Sequence, residues 1–217
     1  EGKSYPVTDG LSHATEPVFD QGGKYLLFFA STDAGPVVNW FDMSNADMEM
    51  TQNIYLVTLA KETASPLAKE SDEVEIKEEN GADDGEDDDK GKKKKKSKKD
   101  QDDAEEKQNT VVIEPDGIQH RILDIPVSAG SYYGLGSSGE GEILYIANVD
   151  GKRTMHKYSL KDRKDEEVDE IDNYIISADG KKMLYVKNGT FGITDAGGKP
   201  APGKGVINTG AIEAKID

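Results

Sequence analysis

The stretch Pro17-Val18-Phe19-Asp20-Gln21-Gly22-Gly23-Lys24-Tyr25-Leu26-Leu27-Phe28-Phe29 reads as a short strand, a tight Asp-x-Gly-Gly turn and a second, nearly continuous apolar strand. Such a turn calls for positive φ, which a Cβ penalises and glycine tolerates. The unit returns as Ile176-Ser177-Ala178-Asp179-Gly180-Lys181-Lys182-Met183-Leu184-Tyr185-Val186. A looser copy is Gly136-Ser137-Ser138-Gly139-Glu140-Gly141-Glu142-Ile143-Leu144-Tyr145-Ile146. Three copies of one hairpin define a repeat protein, and a repeat narrows the choice of fold more than composition can.

Spacing turns the hairpins into an architecture. Ile143 and Met183 occupy equivalent places 40 residues apart, the length of a four-stranded propeller blade. Leu26 and Ile143 lie 117 residues apart, which fits one blade once a loop near 33–50 and a charged insertion are removed. Third strands align as well, Ile54-Tyr55-Leu56-Val57-Thr58-Leu59 against Met155-His156-Lys157-Tyr158-Ser159-Leu160. No helical periodicity persists beyond three turns. The expected fold is all-β, a β-propeller fragment of about three four-stranded blades plus one strand of a preceding blade.

In chain order, residues 1–69 hold the outer strand of a preceding blade, near 4–9, and the first three strands of the first blade, at 14–20, 24–32 and 52–60. Residues 70–109 are a low-complexity insertion: between 70 and 107 there are 17 acidic residues and 10 lysines. Such a stretch cannot bury enough apolar surface to offset its ordering entropy, so it is expected to be disordered. Residues 110–128 supply the outer strand region of the first blade, with strand character at 110–114 and 119–126 around a Pro115-Asp116-Gly117 turn. Residues 129–170 form the second blade. Residues 171–217 form the third, ending in a Gly/Pro-rich stretch and a strand at 206–212. The segment 33–50, with Trp40, Phe41, Met43, Met48 and Met50, reads as an apolar loop that plugs a core or an interface.

The 43 acidic and 27 basic residues give a net charge of −16, which argues against nucleic-acid phosphates and anionic membranes as partners. With no cysteine, disulfides, thiol catalysis and Cys-ligated zinc are excluded. No apolar run approaches the roughly 18 residues of a membrane span. The first residues carry neither an initiator methionine nor a signal peptide and read as the middle of a longer chain. Three blades fall short of the roughly four to eight at which propellers close, so the chain reads as a piece of a larger one.

The chemical motifs resolve into structure. Gly134-Leu135-Gly136-Ser137-Ser138-Gly139 matches a dinucleotide fingerprint but precedes a strand, so no helix N-terminus follows to hold a pyrophosphate; it reads as a repeat hairpin turn. The run 198–205 lacks the Ser/Thr of a phosphate-binding loop, and its two prolines remove N–H donors. The aspartates of 83–89 fail the EF-hand pattern. His13, His120 and His156 fall in different blades and make no metal triad. No serine sits in a nucleophile elbow. Tyr132, Tyr133 and Trp40 are expected in core or inter-blade packing, and Asn188-Gly189 as a two-residue hairpin turn. No catalytic, cofactor-binding or metal residue is assigned, and no cofactor is expected.

The wording of the repeats is more specific than their pattern. Pro17-Val18-Phe19-Asp20 with Gly23-Lys24-Tyr25-Leu26, the block Asp116-Gly117-Ile118, Arg121-Ile122, Ile125-Pro126-Val127 and Gly130-Ser131-Tyr132, and Ser177-Ala178-Asp179-Gly180-Lys181-Lys182-Met183-Leu184-Tyr185 together resemble the tricorn-type proteases. The resemblance implies the last blades of the second propeller of a multidomain serine peptidase, with the catalytic half beyond Asp217. No position here matches the family's catalytic motifs. It further implies a non-catalytic scaffold that gates peptide access, with the rest of the parent polypeptide and peptides in transit as partners. The full-length protein is expected to be a homo-oligomer, in the cytoplasm or periplasm, the resemblance leaning to the cytoplasm. Two competing readings are a stand-alone propeller for protein–protein interaction and the propeller of a prolyl-oligopeptidase-like enzyme.

Overall fold

The computed structural model describes residues 2–33, 50–68 and 111–211. The chain divides into two compact units, Glu1–Ala68 with Asn109–Asp217, and Lys69–Gln108. The second unit, and with it the charged insertion, lies outside the described residues, as does most of the apolar loop at 34–49.

The first unit is all-β, in three antiparallel sheets that follow one another along the chain. The first holds β1 (His13–Phe19), β2 (Tyr25–Ser31), β3 (Asn53–Thr58) and β4 (Ile122–Asp124) in that spatial order. The second holds β5 (Tyr132–Gly139), β6 (Glu142–Val149), β7 (Lys152–Ser159) and β8 (Lys164–Glu170). The third holds β9 (Asn173–Ile176), β10 (Lys182–Lys187) and β11 (Thr190–Asp195). Each sheet is a simple up-and-down run, the order of a propeller blade. Register carries the sequence alignment into three dimensions: Leu26 faces Val57, Ile143 faces Tyr158 and Met183 faces Thr194. The three inner hairpins turn on Gly23, Gly141 and Gly180, with φ of 69°, 71° and 69°. A side chain there would be strained.

Strand alternation explains how the sheets stack. One face of the first sheet (Leu27, Phe29, Ile54, Leu56) packs against one face of the second (Ile143, Tyr145, Tyr158, Leu160). The opposite face of the second (Leu144, Ile146, Met155) packs against Met183, Tyr185 and Tyr174 of the third. Because strand side chains alternate, a continuous apolar run such as Ile143-Leu144-Tyr145-Ile146 serves two interfaces at once. Fully burying each such side chain stabilises by about 1.5–3 kcal/mol. Among the described residues nothing covers the far face of the third sheet in this way: Ile175 is 68% exposed, Ile193 47%, Phe191 39% and Leu184 36%.

The outer strands depart from expectation. Residues 4–9 carry no strand ladder; a strand needs a partner, and Pro6 offers no N–H. Residues 111–114 also stay outside the sheets, tied through Glu114, whose N–H donates to Leu59 O at 3.0 Å and whose Oε2 accepts from Lys61 N–H at 2.6 Å. The stretch 119–126 begins instead as a 3-10 turn, Ile118–Arg121, after Gly117 at φ 70°, and only Ile122–Asp124 pairs. The Arg121 guanidinium secures this turn by donating to Leu59 O and Glu114 O. In the third sheet the expected last strand shrinks to one bridge, Val206 to Gly192, followed by a 3-10 turn at Thr209–Ala211. Pro200 and Pro202 cannot donate to a ladder, and a Cβ on Gly205 would lie 2.0 Å from Ile193 O.

Candidate functional site

The inner edges of the three sheets converge. Contacts join β1 to β5 and β5 to β9. Both β1 and β5 carry a bulge at the joint, between Thr15 and Val18 and between Tyr133 and Gly136. At these bulges the chain swings out of register and presents backbone groups sideways. Leu135 N–H donates to Glu16 Oε2 at 2.9 Å, and the Tyr174 hydroxyl donates to Gly134 O at 2.5 Å. Gly136 makes room for this, since a Cβ there would lie 2.9 Å from the Tyr174 hydroxyl. Burial pushes the Tyr174 hydroxyl far above its usual range, so it stays a neutral donor.

The hairpin tips close the same edge at one end. A Cβ on Gly22 would meet Glu140 Cγ at 2.5 Å, and one on Gly180 would meet Gln21 Oε1 at 2.9 Å. Across the first gap, Lys24 pairs with Glu140. Beneath the pair, Asp20 is only 4% exposed. Its carboxylate accepts from Gly22 N–H at 2.9 Å, from Gly141 N–H at 2.8 Å and from the Ser137 hydroxyl at 3.3 Å. Ser137 in turn accepts from Gln21 N–H at 3.1 Å, and its single hydroxyl proton is shared between Asp20 and Gly139 O, the latter at 2.9 Å. Burial is the largest influence on the Asp20 carboxyl and pushes its pKa up, against the pull of its three donors. The arrangement ties one hairpin to the next. It is not built for nucleophilic attack: Ser137 is buried and no histidine stands beside it to take its proton.

The residues weighed from sequence fall as follows. The Gly134–Gly139 run is not the turn but the bulged strand β5 itself, and Gly136 within it gives way to the Tyr174 hydroxyl. His13 starts β1, His120 lies in the 3-10 turn, and His156 sits on β7 with its Nδ1 2.8 Å from Asp165 Oδ2. Among the described residues no group of three or more His, Asp or Glu could hold a metal ion. Tyr132 packs into the core between the first two sheets, and Tyr133 against that between the second and third. Asn188 and Gly189, at φ 49° and 73°, form the two-residue turn between β10 and β11. Trp40 and residues 83–89 lie outside the described residues. Sequence reasoning missed two features, the Asp20 clamp and the His156–Asp165 pair. The second had a signal: residues nine apart across a short hairpin turn can share one face of the sheet.

No family model matches the chain. It is 25% identical over 201 residues to tricorn protease homolog 2 of Streptomyces coelicolor, covering 84% of this chain and 15% of that protein. Among solved structures it is similar to the crystal structure of the tricorn protease, with a TM-score of 0.54 and 18% identity over 88% of this chain and 17% of that one. The structural likeness shows the shared fold, and the two comparisons together support a tricorn-type segment. The chain spans about a sixth of the length of these relatives.

Proposed function

Taking the chain as a tricorn-type segment, we propose that it is a non-catalytic run of propeller blades that scaffolds and gates peptide access to a catalytic half elsewhere in a longer serine peptidase. One observation carries the reading: the series of stacked sheets ends on an apolar face. By register, Leu27 and Phe29, Leu144 and Ile146, and Leu184 and Val186 are equivalent pairs. The first pair packs on the second sheet and the second on the third. The third pair, with Ile175 and Ile193 beside Leu184, presents the same apolar pattern with no sheet upon it among the described residues. A fourth sheet of the same kind is what fits there, supplied by the remaining blades of the parent polypeptide. The proposed sheet groups are the first blade with residues 1–69 and 110–128, the second with 129–170 and the third with 171–217.

Gating is the role that suits these residues, because the inner strands offer backbone groups, bulges and hydroxyls but no nucleophile–base pair. In this reading the peptides in transit belong to the parent enzyme's substrates, and its oligomer forms through other regions. The test is to follow the reading frame past Asp217 and assay the encoded protein. The expected result is a PDZ-like module followed by a serine-peptidase region, with peptide hydrolysis by the whole protein and none by residues 1–217. A frame that stops, or a whole protein without peptidase activity, overturns the reading.

A further inference from the structure

We draw no further inference here: the strongest candidate, the cleft of about 460 Å³ on the face of the first sheet turned away from the second, where Phe28 stacks on Tyr55 at 5.8 Å, is an apolar groove, and nothing in the structure shows what covers it.

Discussion

The substitution Asp20→Ala probes the clamp that ties one hairpin to the next. Removing the carboxylate leaves Gly22 N–H and Gly141 N–H without their acceptor and frees the Ser137 hydroxyl from Oδ1. Each bond to a charged acceptor contributes about 1.5–3 kcal/mol, and an orphaned buried donor costs about 1–3 kcal/mol. Relief of the buried charge offsets part of this. The net expectation is a loss of about 2–4 kcal/mol, or a drop of roughly 5–15 °C in Tm for a domain of this size. Urea unfolding measures the total, and hydrogen exchange at the Gly141 amide locates it. Asp20→Asn adds a pH test. Because burial holds the Asp20 pKa above its unfolded value, the side chain contributes most below about pH 4 and loses that contribution as pH rises through the folded value. The cost of Asp20→Asn is therefore greater at pH 4 than at pH 7. A Gly141 amide that stays protected in Asp20→Ala refutes the clamp, and a cost that grows toward pH 7 refutes the dominance of burial.

Three further perturbations test neighbouring parts of the account. Gly136→Ala forces a Cβ to within 2.9 Å of the Tyr174 hydroxyl and is expected to destabilise by about 1–3 kcal/mol, with the change in near-ultraviolet tyrosine signal marking the joint between β5 and β9. Gly205→Ala, at φ 69° and 2.0 Å from Ile193 O, is expected to detach residues 205–207 from β11 and to speed exchange of the Ile193 amide while leaving the Tyr145 amide protected. Removing residues 70–107, of which 17 are acidic and 10 are lysine, is expected to shift Tm by no more than about 2 °C; a larger drop would contradict the reading drawn from their composition.

Much of the fold was legible because its strongest signals are local. The glycine of each inner hairpin must sit at positive φ, and the apolar run after it must serve two interfaces, so both are written into short sequence windows. The outer strands were less legible because their states are decided elsewhere. Residues 4–9 and 206–212 have strand-like composition, yet pairing depends on a neighbour's edge, and Pro6, Pro200 and Pro202 withhold donors. Residues 110–114 and 119–126 read as strands around a Pro115-Asp116-Gly117 turn, but Gly117 and the reach of Arg121 fold Ile118–Arg121 into a 3-10 turn. The His156–Asp165 pair was legible in principle, because the register from Ser159 facing Lys164 to His156 facing Glu167 runs unbroken from the hairpin turn.

The exposed row Ile175, Leu184 and Ile193 carries the central claim, that three stacked sheets are part of a larger ring. Sedimentation velocity of the chain, beside its Leu184→Lys/Ile193→Lys variant, tests this most directly. The account predicts that the unaltered chain self-associates and binds a hydrophobic dye, and that the variant sediments as a monomer with its melting transition retained. A monodisperse, cooperatively melting monomer that binds no dye before substitution would contradict it.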